Sequence, residues 1–345
     1  MSLRLLFKKA GIPIMLGAFL VAVLIGCGVM KLGVPAIIGD SLRRIGMNGL
    51  LVLSMVPSIK SGTGPNFALP VGITSGLFSL VVCMEFDLMG VTLLIASIAL
   101  TIVVGGLIGF GYGKLLNAVK GAEMTIATYT GFSITALFSI VWLAVPFKNT
   151  KMTWLLGSGL RETIQLNNYN ADGILSNLWS FSIGSVTVPT GMLLFLLLCC
   201  LLMSLFFKTK AGIAIYAGGI NPRFAEAAGL DVNRGRVLAN VISTIVAGIG
   251  IIIYAQGYGF AQLYQGPMLM AFPAVAAVLI GGATASTANC INVLVGVTLF
   301  QGIMTSAMPL ANALLPGTDL SDTLRMIIQN GVILFALTQV KGGGR

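Results

Sequence analysis

Long runs in which nearly every position is apolar recur along this chain, separated by short stretches where charged and turn-forming residues gather. Leu93 to Gly113 and Gly191 to Phe207 are apolar on every face, with no two-residue alternation. A span needs about 20 apolar residues, and hydrocarbon offers open backbone no partner, so such runs are helices or strands of a closed barrel. Barrel strands alternate over about ten residues, which these runs do not. The pattern predicts an all-α polytopic membrane protein with about ten transmembrane helices. They are expected near 12–30, 46–59, 66–84, 88–113, 124–146, 188–207, 237–256, 268–283, 289–308 and 323–340. The first run follows a basic flank as a signal sequence would, yet it is long enough to span and no small-residue cleavage site follows. It is expected to stay as the first helix.

Composition narrows the chemistry. Of 345 residues, 57% are hydrophobic and 9% charged, and the mean hydropathy is +0.98. The charge is too sparse to cover a soluble domain, so residues 1–345 read as one transmembrane domain. Histidine is absent, which removes a Ser-His-Asp triad, a histidine-bound zinc and a histidine pH switch. Cys27, Cys83, Cys199, Cys200 and Cys290 lie in apolar runs without CxxC spacing and read as small buried hydrophobes. Neither a metal nor another cofactor is expected.

Charge sets the expected orientation. With ten spans and a cytoplasmic amino terminus, Arg4, Lys8, Lys9, Lys60, Lys114, Lys120, Lys208, Lys210, Arg223, Arg234, Arg236, Lys341 and Arg345 fall inside. Only Lys31, Arg43, Arg44, Lys148, Lys151, Arg161 and Arg325 fall outside. The positive-inside rule chooses this arrangement, with both termini cytoplasmic. The net charge of +10 then faces anionic membrane lipid, and no nucleic-acid partner is needed to account for it. Two connections are long: an extracytoplasmic one over 147–187, expected to hold short helices, and a cytoplasmic one over 208–236. Within the latter, Asn221-Pro222 starts a helix signal that Gly229 stops, which predicts a short exposed helix between two spans.

Spans two to five and seven to ten form two groups of opposite orientation, an inverted repeat. In each group the second span is interrupted, by Pro65 and Pro70 in one and by Pro273 in the other. Paired broken helices point to a substrate path near the midplane. Candidate path residues are Asn48, Asn66, Thr74, Ser75, Gln256 and Asn289, polar groups in or beside apolar spans. Gly105, Gly109 and Gly113, like Gly72 and Gly76, recur every four residues, the spacing of close helix packing.

No P-loop occurs, and no carboxylate sits in the middle of an expected span. The chain therefore has the body of a transporter without its own ATP site or an evident proton acceptor. A cytoplasmic motor docked on the short helix would supply the energy. A self-contained sodium-coupled carrier is the competing reading. An intramembrane enzyme finds no acid-base constellation here.

The stretch GGINPRFAEAAGLDVNRGRVLANVISTIVAGIGIIIYAQ, with the later AVAAVLIGG, resembles the permease subunits of bacterial ABC importers of the ribose, simple-sugar and branched-chain amino-acid type. Gly219, Asn221, Ala225 and Gly229 reproduce the family's loop pattern, with Ile220 inserted. Val275, Ala276, Ala277, Val278, Gly281, Gly282 and Thr284 reproduce its later one, with Ala283 inserted. Ala68 and Pro70 stand where sugar-type members usually carry an acid and a serine.

The resemblance implies a ten-helix subunit in the bacterial inner membrane. Its partners would be a second permease copy or paralogue, cytoplasmic ATPase subunits and an extracytoplasmic solute-binding protein. It casts Asn221, Pro222, Arg223, Phe224, Ala225, Glu226 and Gly229 as the ATPase-coupling helix. The solute expected is a sugar or nucleoside, with a branched-chain amino acid as the alternative.

Overall fold

The computed structural model describes residues 3–154, 159–314, 326–327, 330–331 and 333–334, with side chains from residue 11 onward. The chain opens with α1 (Leu3–Val29), α2 (Val34–Leu53), α3 (Met55–Lys60), α4 (Leu69–Glu85), α5 (Gly90–Ala118) and α6 (Glu123–Ala144). A long connection follows, with β1 (Thr163–Gln165), a 3-10 turn at Leu166–Tyr169, α7 (Ile174–Asn177) and the hairpin of β2 (Phe181–Ile183) and β3 (Val186–Val188). Next come α8 (Thr190–Phe206), α9 (Lys210–Ile220), α10 (Pro222–Ala227) and α11 (Val232–Tyr258). β4 (Phe260–Gln262), α12 (Gly266–Ile280) and α13 (Cys290–Leu314) follow.

This is a helical, multi-pass membrane protein. Helices α1, α5, α6, α11 and α13 are each long and apolar enough to cross a membrane, and α8 joins α9 through a bend of 78°. The two interrupted spans are the short apolar helices α4 and α12. Each carries a proline in its first turn, Pro70 and Pro267, where the missing N–H costs nothing. Pro267 is thus the counterpart of Pro70; Pro273 lies inside α12. The span expected at 323–340 lies mostly outside the described residues.

Several boundaries need correction. The second helix starts at Val34 rather than residue 46 and carries Asp40 and Arg44 paired one turn apart, 3.0 Å between Arg44 Nε and Asp40 Oδ2. Charges inside membrane helices pair with one another or face a cavity. The 208–236 connection is almost wholly helical: α9 and α10 fill it, and α11 already begins at Val232, where the Asp231 carboxylate accepts from the Arg234 N–H. The 147–187 connection holds strands as well as short helices. β1 pairs antiparallel with β4, Ile164 opposite Ala261, and fastens this connection to the end of α11.

Helix α11 is the centre of the packing, against α5, α4 and α2. Small residues allow the approach. A Cβ on Gly109 would lie 2.9 Å from the Thr244 Cβ, and one on Gly113 2.9 Å from the Val237 Cα. Gly72 on α4 faces Ala247 at 2.6 Å in the same sense. These glycines therefore pack helices. α2 lies against α13 as α5 lies against α11, so the first helix of each group rests on the third helix of the other. Outward faces of α1, α5, α6 and α8 present exposed Leu, Ile, Val and Phe, as lipid contact requires.

Two ends are distinct. At one, Lys60 lies over the Phe207 ring, Asn117 Nδ2 donates to the Asn233 carbonyl at 2.9 Å, and Arg236 pairs with Glu123. At the other, Lys151 pairs with Asp87 at 3.2 Å, and the Glu85 carboxylate accepts from the Lys148 and Asn149 N–H groups.

Candidate functional site

The short helix α10 stands where its capping residues put it. The Asn221 side chain accepts from the Phe224 N–H at 3.1 Å, and Pro222 supplies the first helical φ. Ala225 is fully buried and holds the helix to its neighbours, while Arg223, Phe224 and Glu226 point outward. The Phe224 ring is 69% exposed, a large apolar surface at the tip of a charged loop. Gly229 sits at φ +81°, and the Leu230 N–H returns to the Ala225 carbonyl at 3.0 Å, a left-handed stop that favours glycine.

Gly219, just before this helix, touches the backbone of the break between α3 and α4. A Cβ on Gly62 would meet the Gly219 Cα at 3.1 Å. The break itself, residues 61–68, is irregular yet largely buried. Such backbone is tolerated at membrane depth only where protein or a water-filled cavity satisfies it. Here Ser58 Oγ donates to the Gly64 carbonyl at 2.8 Å, and the side-chain Oδ1 of Asn66 accepts from both the Ala68 N–H and the Tyr112 hydroxyl at 3.0 Å.

The six polar residues read from the sequence fall in different places. Asn66, Thr74, Ser75 and Gln256 are buried and bonded within the protein. Asn66 donates to Ser243 Oγ at 2.9 Å, Thr74 to the Pro70 carbonyl at 2.6 Å and Ser75 to the Gly72 carbonyl at 2.7 Å. Gln256 Oε1 accepts from the Leu175 N–H at 3.1 Å and so anchors the 147–187 connection. Asn289 lies at the start of α13, beside Lys60 and Lys208. Only Asn48 of the six lines a large cavity between four helices.

That cavity has a volume of about 740 Å³ and opens between α2, α11, α12 and α13. Asp40, Arg44, Asn48, Gln262, Gln301 and Asn312 supply its polar groups. Tyr254 and Tyr258 form part of its wall, stacked with ring centroids 5.5 Å apart and planes at 9°, with Phe260 edge-on to Tyr258 at 4.8 Å. Gln301 is an amide in the middle of an apolar helix, the same signal that singled out Asn48. Asp40 and Arg44 escaped because the expected span began after them. A second cavity of about 390 Å³ lies at the opposite end, between Gly62 to Gly64, Gly121 to Thr125, Gly219 and Ala285 to Ser286. The two share no lining residue.

No group of three or more metal-ligating side chains occurs among the described residues. All five thiols are free, and those of Cys27, Cys83 and Cys200 are buried.

Comparisons with known proteins agree with one another. Residues 37–337 match the family described as branched-chain amino acid transport system / permease component. The nucleoside ABC transporter permease protein NupB of Lactococcus lactis subsp. cremoris is 25% identical over 290 residues, covering 84% of this chain and 77% of that protein. The galactofuranose transporter permease protein YtfT of Escherichia coli is 27% identical over 285 residues, covering 76% of this chain and 82% of its own. A solved structure of an inward-facing, metal-chelate type ABC transporter covers 95% of this chain at 16% identity and a TM-score of 0.44, a likeness too slight to argue from. With the family matched over most of its length, this chain belongs to the permease components of the branched-chain amino acid transport type and is a membrane-spanning transport subunit of an ABC transporter, not an enzyme.

Proposed function

We propose that this subunit passes a furanose-bearing solute, a nucleoside or a sugar, inward across the bacterial inner membrane, with both chain termini on the cytoplasmic side. Permeases of this family work with an ATPase and a solute-binding protein. The observation that carries the solute class is the make-up of the 740 Å³ cavity. An ion pair, several amides and stacked tyrosines suit a ring that has vicinal hydroxyls and one flat or apolar face. A nucleoside and galactofuranose share such a ring, and these are the solutes in the names of the two relatives.

The path runs from this cavity past the buried break at residues 61–68 to the smaller cavity at the other end. In this reading Asn48 touches the solute, as do Gln301 and Asn312. Asn66, Thr74, Ser75 and Gln256 hold the walls, and Asn289 stands apart from the path.

Helix α10 is the coupling helix. Phe224 enters an apolar cleft of the ATPase while Arg223 and Glu226 make rim contacts. Asn221, Pro222, Ala225 and Gly229 keep it in shape. Motion of the motor then reaches the break through the contact of Gly219 with the end of α3. A second permease, a copy or a paralogue, closes the far side of the path.

The experiment is solute uptake in proteoliposomes that contain the complete transporter, with and without ATP. ATP-dependent uptake of a labelled nucleoside or furanose, lost in Phe224→Ala with Glu226→Arg, is the expected result. Uptake of leucine in place of these solutes would return the assignment to branched-chain amino acids. Uptake by this chain alone, driven by sodium, would replace the ABC mechanism with a self-contained carrier.

A further inference from the structure

A third pocket, of about 410 Å³, lies at the α10 end of the molecule, between the end of α3, the α8–α9 bend and the start of α13. Lys60, Lys208, Ser204, Phe207, Tyr216 and Asn289 line it. The Lys60 ammonium is held in place, 4.1 Å from the centroid of the Phe207 ring and 5.3 Å from that of Tyr216.

Among the described residues, neither Lys60 nor Lys208 forms a salt bridge. The carboxylates at this end are engaged or point elsewhere: Glu123 with Arg236, Asp231 with Arg234, and Glu226 outward on α10. The titratable neighbour of Lys60 is the Cys290 thiol, which accepts from Ser204 Oγ at 3.3 Å. Two cations, one of them partly withdrawn from water, thus converge on a pocket with no carboxylate in its lining. An anion entering there would meet both ammonium groups and offset the partial desolvation of Lys60.

The surroundings identify the source of the anion. The pocket lies where apolar α8 gives way to Lys208, a change of composition like that from hydrocarbon to headgroups in a membrane. Leu198, Leu201, Leu202 and Leu205 are about half exposed along α8, and Ile291, at the pocket, is 72% exposed. An anionic head beside apolar tails matches this juxtaposition, and a free phosphate would leave the apolar strip unused. Basic pockets between membrane helices bind lipid headgroups on these terms, and aromatic rings at this depth are interfacial anchors.

We propose that this pocket seats the phosphate of an anionic phospholipid between Lys60 and Lys208, with its acyl chains along the leucine face of α8. The lipid then stiffens the end of α3, the surface on which Gly219 rests. This holds whichever solute the transporter carries.

The test is lipid retention by the purified full-length complex, read by native mass spectrometry after detergent exchange. Phosphatidylglycerol should be retained about tenfold more than phosphatidylcholine, and Lys60→Gln with Lys208→Gln should remove that preference. Lys60→Arg with Lys208→Arg should keep it, and Lys210→Gln, whose lysine lies outside the pocket lining, should leave it unchanged. Should the double glutamine variant fail to fold, Lys208→Gln alone, at an exposed position, compared with Lys208→Arg decides. Equal retention by the wild type and the glutamine variants, or retention of neither lipid, overturns the site. Displacement of the lipid by inorganic phosphate assigns the pocket to free phosphate and overturns the lipid.

Discussion

Gly219, at the end of α9, and Gly62, in the break before α4, meet backbone to backbone, so that a Cβ on Gly62 would come 3.1 Å from the Gly219 Cα. Gly62 is also at φ +79°, a region that disfavours side chains. The connection between α9 and α10 and a broken span are thereby in direct contact with nothing between them to absorb a displacement.

Gly219→Val is expected to force this contact apart. The cost should be about 1–3 kcal/mol of stability, the range for overpacking a tight contact. Thermal unfolding in detergent measures it. Uptake in the folded fraction should fall further than that loss of stability accounts for. A variant with normal stability and normal uptake would show that the contact transmits nothing.

Glu123 and Arg236 form an ion pair whose side chains are only 18% and 10% exposed. Changing Glu123→Gln leaves a nearly buried guanidinium without its counter-charge, and the expected loss is about 3 kcal/mol. Adding Arg236→Met should restore much of it, since the uncompensated charge is then gone. Denaturation midpoints of the two single variants and the double variant form the cycle that checks this. Additive losses would contradict it.

Asp87 lies in the α4–α5 turn, outside the spans, and hydrogen bonds from Lys151 and Asn149 hold its carboxyl below the usual value. A lowered folded pKa contributes stability that is present above the unfolded value and lost as pH falls through the folded one. Wild type should therefore unfold at a higher temperature than Asp87→Asn at neutral pH. The gap should close below about pH 3.9, the free carboxyl value, and vanish under the folded pKa. A gap that is constant across this range would mean that the carboxylate is not the cause.

Gln301 is 8% exposed and lines the large cavity together with Asn48. On the proposed path, replacing Gln301 by leucine would remove polar contacts with the solute and should raise KM for uptake up to about tenfold, the worth of a lost hydrogen bond. ATP hydrolysis by the assembled complex should be unaffected. Asn66→Ala should behave differently. It strips partners from Tyr112 and Ser243, so it should lower stability before it changes KM.

Much of this protein was legible without coordinates. Runs such as Gly191 to Phe207 read as helices, because a span in hydrocarbon must satisfy its backbone as a helix or a closed barrel and these runs lack the alternation of barrel strands. The start and stop of α10 were readable for the same kind of reason. Asn221 capping, Pro222 and left-handed Gly229 act within one turn of chain, so their meaning survives without neighbours.

What the sequence could not disclose is which polar groups meet. Asn48 and Gln256 look alike along the chain, each an amide beside an apolar run. One lines a cavity shared by four helices, and the other is consumed by the Leu175 N–H. Lys60 and Lys208 likewise come together only in the fold, where the end of α3 and the α8–α9 bend meet the start of α13. Local backbone chemistry fixes an element by itself. The partner of a buried amide or a lone cation depends on packing between distant segments, so tertiary structure alone decided it.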